Sequence, residues 1–130
     1  MKILVIDDDP AMTDLLKLLL KPTSAVIFTA NTGFTGIEIA QKMNPNIILL
    51  DLMLPEIDGW QVCKAFSDFS MTPILIFSAL DSPGMVAAAL DAGADDYLIK
   101  PVTSNVLIAH INNLLRRTKQ ECFIPETTLY

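Results

Sequence analysis

Apolar residues fall in short runs separated by longer amphipathic stretches. The runs are Ile3–Ile6, Ala25–Phe28, Ile47–Leu50, Ile74–Phe77 and Tyr97–Ile99. Most are apolar on consecutive residues and rich in isoleucine, valine and leucine. That pattern suits strands buried on both faces of a parallel sheet. The stretches between them carry helical signals. Asp9-Pro10 reads as an N-cap with proline at the first helical position. Met12, Leu15, Leu16 and Leu19 supply its apolar stripe, and Pro22 ends it. Thr35 and Glu38 have capping-box spacing, with Ile37, Ala40 and Met43 continuing a second helix to Pro45. Gly59–Phe66 is a third, with Trp60 and Cys63 one turn apart. Ser82-Pro83 opens a fourth, which Gly93 closes. The fifth runs from Ser104 to Arg117, with Leu107, Ile111, Leu114 and Leu115 as its buried stripe.

Strands and helices in strict alternation predict a doubly wound α/β domain, a (βα)5 unit with a five-stranded parallel sheet. Ligand sites in such sheets lie beyond the carboxyl ends of the strands. The polar residues at those ends therefore matter most. Strand one runs into Asp7-Asp8-Asp9, strand three ends at Asp51, strand four at Ser78 and strand five at Lys100-Pro101. Topology alone brings carboxylates, a hydroxyl and an ammonium to one edge. Carboxylates this close repel and raise each other's pKa unless a cation intervenes. Oxygen-only ligands favour Mg2+, with a backbone carbonyl just after Asp51 as a further ligand. Lys100 supplies positive charge on the opposite side. Such a site suits a phosphoryl group arriving on an aspartate, because an aspartate is a competent nucleophile for phosphoryl transfer.

Composition narrows the classes. The 130 residues suit one domain with one core. A net charge of −6 excludes bulk attraction to nucleic acid or anionic lipid by this domain. Cys63 and Cys122 have no metal or redox spacing and read as reduced thiols. The first apolar run is too short for a signal-peptide core, and no stretch is long enough to span a bilayer. The expectation is a soluble, cytoplasmic protein without membrane association.

These pieces together resemble the response-regulator receiver family, CheY-like domains. They are Ile3-Leu4-Val5-Ile6-Asp7-Asp8-Asp9, Asp51-Leu52-Met53-Leu54-Pro55 with Asp58-Gly59, Ser78-Ala79, and Gly93-Ala94-Asp95-Asp96-Tyr97 with Lys100-Pro101. The match covers about residues 1–118 in order and spacing; residues 119–130 read as a linker or C-terminal tail. The resemblance implies a flavodoxin-like strand order, 2-1-3-4-5. It implies that Asp51 is the phosphoacceptor. Asp7, Asp8, Asp51 and the Met53 carbonyl are then the Mg2+ ligands. Ser78, Ala79 and Lys100 become the phosphoryl-binding set, Tyr97 the aromatic that follows Ser78, and the Lys100-Pro101 bond is expected to be cis. The implied partner is a sensor histidine kinase. The Gly93–Tyr97 segment and paired arginines resemble regulators carrying a winged-helix domain, so DNA would be met only through an output domain absent from this chain. Those regulators dimerise through the fourth helix, fifth strand and fifth helix. Here the interface positions include Val86, Val106 and His110 while Asp95, Asp96, Arg116 and Arg117 remain, so such a homodimer would be more apolar than usual or have a different geometry. Met53 and Leu80 are apolar where the family often has polar residues, and are expected to shield the acyl phosphate from water.

Plainer readings stand beside these. Asp9 and Asp58 read as helix caps, Trp60 as packing, and His110, among apolar helix residues, as structural. Three rivals compete with the phosphoacceptor. A phosphatase would need a general acid and a substrate pocket. A degenerate receiver would act as a phosphorylation-independent interaction module, which the complete polar set argues against. A flavodoxin-like cofactor binder would have its phosphate repelled by the carboxylates.

Overall fold

The computed structural model describes residues 1–55 and 57–118, so the expected tail at 119–130 and Cys122 lie outside the described residues. The sheet consists of β1 (Lys2–Ile6), β2 (Val26–Ala30), β3 (Ile47–Leu50), β4 (Ile74–Ser78) and β5 (Asp96–Ile99). All pairings are parallel, in the order β2-β1-β3-β4-β5. The helices are α1 (Pro10–Leu19), α2 (Gly33–Met43), α3 (Gly59–Phe69), α4 (Pro83–Asp91) and α5 (Ser104–Arg117). This is the doubly wound architecture that the apolar runs predict.

Side-chain alternation divides the core into two layers. Leu4 and Ile6 of β1, with Ile48 and Leu50 of β3, join Val62 and Phe66 of α3 on one face. Ile3, Val5, Ile47 and Leu49 face the other way, toward Leu16 of α1 and Leu107 and Ile111 of α5. Successive strand residues point to opposite faces, so a strand covered on both sides must be apolar throughout. β3 and β4 are buried at every position.

Each helix opens on a side-chain cap. Asp9 accepts from Ala11 N, Asp58 from Gln61 N, Ser82 from Met85 N and Thr103 from Val106 N. The second helix departs from the expected capping box. Its cap is Thr32, which accepts from Thr35 N, so Thr35 lies inside the first turn. Gly33 and Gly36 fill that turn, and Gly36 is a close approach: a Cβ there would lie 2.4 Å from Ile6 Cδ1. Packing against β1 therefore starts the helix earlier than propensity suggests. In α1 the buried positions are Thr13 and Leu16, with Leu20 just beyond. Met12 and Leu19 pack partially, and Leu15 is 45% exposed. A Leu-Leu-Lys-Leu-Leu-Leu run has apolar residues on most sides of a helix and so fixes no phase. Pro22 lies in a 3-10 turn, Lys21–Thr23, that follows α1. The second strand is shifted toward Ala30, and α3 runs on to Phe69. Gly93, with φ at 114°, provides the left-handed residue that closes α4.

Among the described residues, no helix is long and apolar enough to cross a membrane.

Candidate functional site

The parallel register carries β1, β3, β4 and β5 to a common edge. Asp7 N–H donates to the Ala30 carbonyl and Asp51 N–H to the Ile6 carbonyl, so both aspartates sit one step past their strands. Lys100 N–H donates to the Ser78 carbonyl at 2.8 Å, which places Lys100 beside the end of β4. Its peptide bond to Pro101 is cis.

One carboxylate oxygen from each of Asp7, Asp8 and Asp51 lies within 4.8 Å of the others. Asp7 and Asp51 are buried and Asp8 is exposed. The Lys100 ammonium donates to Asp7 Oδ2 at 2.8 Å and to Asp51 Oδ2 at 3.3 Å. It also lies 5.5 Å from the centre of the Phe77 ring. Backbone groups fix the carboxylates: Asp9 N–H donates to Asp7 Oδ1 and Met53 N–H to Asp51 Oδ1. Asn31, which sequence patterning does not single out, donates from Nδ2 to the Asp7 carbonyl at 2.8 Å. No spacing rule connects it to Asp7; only the β1–β2 register does.

The electrostatics follow from this packing. Two buried carboxylates at such a separation repel by roughly 3 kcal/mol at an effective dielectric near 20. Lys100 answers part of this. Burial works against its charge, but the hydrogen bond to Asp7 and the charges of Asp51 and Asp7 outweigh burial and raise its pKa. Partial desolvation, then the charges of Asp7 and Asp51, raise the Asp8 carboxyl above the usual aspartate value. Three carboxylates facing one ammonium leave an excess of negative charge that a divalent cation would balance. The donors are all oxygen, and the exposed Asp8 side leaves room for coordinating water. That fits Mg2+ better than metals that prefer nitrogen or sulfur ligands.

Ser78 is fully buried, and its Oγ accepts from Leu80 N–H at 3.3 Å. That backbone contact is what an ordinary strand-end hydroxyl makes. Ala79 is exposed beside it, and Met53 is 57% exposed. The Tyr97 hydroxyl donates to the Leu80 carbonyl at 2.6 Å, so Tyr97 reaches the β4–α4 loop. Burial raises its pKa; the Ser78 hydroxyl opposes this, and the charges of Asp51 and Asp81 add to it. Trp60 packs on the core with its indole N–H unpaired. His110, read as structural, has a specific partner: its Nδ1 lies 2.6 Å from Asp96 Oδ2.

A parallel five-stranded sheet with this acidic edge and facing lysine defines a receiver-type domain. The model of the response regulator receiver domain matches residues 3–112, and the chain belongs to that family, the receiving modules of two-component systems. Response regulator MprA of Mycobacterium leprae is 41% identical over 93% of this chain and 54% of its own length. The DNA-binding dual master transcriptional regulator RpaA of Synechocystis is 39% identical over 90% of this chain and 50% of its own. The chain thus spans about half the length of the curated relatives it matches. Among solved structures, a two-component response regulator from Clostridium difficile superposes with a TM-score of 0.87 at 31% identity, covering 92% of this chain and 99% of that one. The BeF3-activated receiver domain of Klebsiella pneumoniae RstA gives 0.85 at 30% identity, covering 89% and 99%.

Proposed function

We propose that this domain takes a phosphoryl group on Asp51 from a sensor histidine kinase, or from a small acyl phosphate, and changes the binding preference of its α4–β5–α5 face. The observation that carries this is the meeting of Asp7, Asp8 and Asp51 around one small volume beside Lys100.

Asp7, Asp8 and Asp51 would hold Mg2+, with the Met53 carbonyl as a further ligand. Bound there, the ion would neutralise charge that gathers on the transferring phosphoryl oxygens. The residues do the rest. An Asp51 carboxylate oxygen attacks phosphorus. The bond from phosphorus to the donor's imidazole nitrogen or acyl oxygen breaks, and that atom leaves with the electron pair. Little further covalent chemistry is needed beyond positioning and charge stabilisation. Lys100 stays close to Asp51 and pairs with a phosphoryl oxygen. Ser78 gives up Leu80 N–H and donates its hydroxyl to another, with the Ala79 N–H beside it. Tyr97 follows Ser78, and its hydroxyl bond to the Leu80 carbonyl ties that movement to α4. The new charge shifts the equilibrium only by its differential contacts in the two states. Any DNA contact belongs to an output domain outside this chain, in keeping with relatives about twice as long.

A homodimer through α4, β5 and α5 remains part of this proposal. In the single chain the Asp96 carboxylate already has a partner in His110 of α5.

Incubation with acetyl phosphate and Mg2+ is expected to give one retarded band on a Phos-tag gel, lost on omitting Mg2+ and in Asp51→Ala. An unshifted wild type would leave the phosphorylation-independent module instead. Met53, two residues after Asp51, is exposed, and Leu80, two after Ser78, is half-buried; at these positions both would deny water an ordered polar contact. Changing both to asparagine is expected to hasten loss of the phosphoryl group by roughly tenfold, the scale of one such contact. An unchanged decay rate would remove the shielding role.

A further inference from the structure

A cleft of about 180 Å3 opens at the amino ends of β4 and β5, the opposite end of the sheet from Asp7, Asp8 and Asp51. It lies between the end of α3 and the loop that joins α4 to β5. Ser67, Ser70, Met71, Thr72, Ile74 and Asp95 line it, and no residue of α4 or α5 does. Asp95 is fixed there by two bonds to the start of β4. Its N–H donates to the Ile74 carbonyl at 2.9 Å, and its Oδ2 accepts from Ile74 N–H at 2.8 Å. Its other carboxylate oxygen has no partner among the described residues, and neither oxygen has an ion pair there.

The hydrogen bonds around the cleft decide what can enter it. The Ser67 hydroxyl donates to the Cys63 carbonyl at 3.1 Å, the Ser70 hydroxyl to Thr72 Oγ1 at 2.8 Å and the Thr72 hydroxyl to the Pro45 carbonyl at 3.4 Å. The N–H groups of Ser70, Thr72 and Gly93 also donate within the chain. A hydroxyl has one hydrogen but two lone pairs. Each of these hydroxyls has therefore committed its donor and keeps acceptor capacity. Beside them stands a carboxylate without a counter-ion. Its field reaches inward: burial, then the charge of Asp95, pushes the Cys63 thiol up to about 11. An anion would meet this charge with no hydroxyl hydrogen to receive it. A divalent ion would find one carboxylate where it needs several charged or carbonyl oxygens. A cation that carries several N–H donors matches what is left. The buried Ile74 and the 94% exposed Met71 add apolar contact for a short alkyl stem.

We propose that this cleft binds an alkylguanidinium, either a free small molecule or an arginine side chain presented by another protein. A guanidinium spreads five N–H donors over a rigid plane, which suits acceptors on separate residues better than a compact ammonium does. One donor meets the unpartnered Asp95 oxygen, and others meet Ser67 Oγ and Ser70 Oγ. The size agrees: a cavity of about 150 Å3 holds benzene, with six heavy atoms. A guanidinium with two or three methylenes is no larger. Once seated, the group ties the end of α3 to the α4–β5 loop.

Propylguanidinium chloride and N-acetylarginine amide are titrated separately into the 15N-labelled full chain. Tetramethylammonium chloride at equal ionic strength serves as a cation without N–H donors. Both guanidinium probes are expected to shift the amides of residues 67, 70, 72, 74 and 95 saturably, and tetramethylammonium to shift none of them saturably. Tighter binding of the arginine amide supports the site with a protein side chain as its source, and tighter binding of propylguanidinium supports it with a free small molecule. Asp95→Asn keeps an acceptor for Ile74 N–H and removes the charge. It is expected to weaken both probes by about tenfold or more, the scale of a hydrogen bond to a charged group. The absence of saturable shifts, shifts confined to residues 7, 8 and 51, or an equal response to tetramethylammonium would overturn the proposal. So would undiminished binding by a folded Asp95→Asn variant. The comparison of probes on the wild type holds even where that variant fails to fold.

Discussion

Gly59→Ala is expected to destabilise the domain by about 3 kcal/mol and to slow phosphoryl uptake on Asp51 together. Gly59 opens α3 directly beneath the segment that follows Asp51. A Cβ added there would lie 2.3 Å from Leu52 Cα and 2.9 Å from the Asp51 carbonyl oxygen. These are backbone atoms, so no side chain can swing away. Overpacking of a well-filled site costs about 1–3 kcal/mol, with rigid contacts at the upper end. The Gly59 N–H also donates to the Leu52 carbonyl at 3.0 Å and closes the turn that carries Met53. Displacing that turn moves the Met53 N–H away from Asp51 Oδ1. Thermal unfolding and the rate of acetyl-phosphate labelling, measured on one preparation, read both effects. A stable variant labelled at the wild-type rate would mean that the turn tolerates the methyl group and does not position Asp51.

Phe66→Ala is expected to cost about 3–5 kcal/mol, the range for removing a fully buried phenylalanine. Phe66 has no exposed surface and packs with Val62 and Cys63 of its own helix against Leu50 and Ile76 of the sheet. Its ring also meets Phe69, with centroids 5.6 Å apart. A domain of this size has about 5–15 kcal/mol in hand, so the loss takes a large share of it. The midpoint of thermal unfolding is expected to fall by roughly 15 °C. Circular dichroism on heating measures this, and a fall of only a degree or two would show that the site collapses around the smaller side chain.

Much of this was legible in the sequence because parallel strands announce themselves. Ile3–Ile6, Ile47–Leu50 and Ile74–Phe77 are apolar at every position, which only a sheet covered on both faces requires. Once the strands are placed, their polar ends follow, and Asp7, Asp8, Asp51, Ser78 and Lys100 arrive at one edge by topology. Features decided by tertiary contact were not legible. The α2 cap is Thr32 rather than Thr35, and the close approach of Gly36 to Ile6 that accompanies it has no local signature. The exposure of Leu15 was hidden in a run of leucines that fixes no helical phase. The Asp96–His110 pair joins a strand to a helix fourteen residues later, a distance no helical or strand period links. The same holds for the Tyr97 hydroxyl on the Leu80 carbonyl.

The most direct measurement is a Mg2+ titration followed by amide chemical shifts, on wild type and Asp8→Asn. One saturable site is expected, with the largest shifts at residues 7, 8, 51 and 53. Removing the Asp8 carboxylate is expected to weaken it by about 100-fold, at the upper end of what even an outer support of a metal ligand contributes. Affinity should also fall as pH is lowered, because Mg2+ needs Asp8 ionised and its pKa is raised above 3.8. That loss begins at a higher pH than an ordinary aspartate would give. Binding that never saturates, or that Asp8→Asn leaves unchanged, would contradict the shared cation on which the whole account rests.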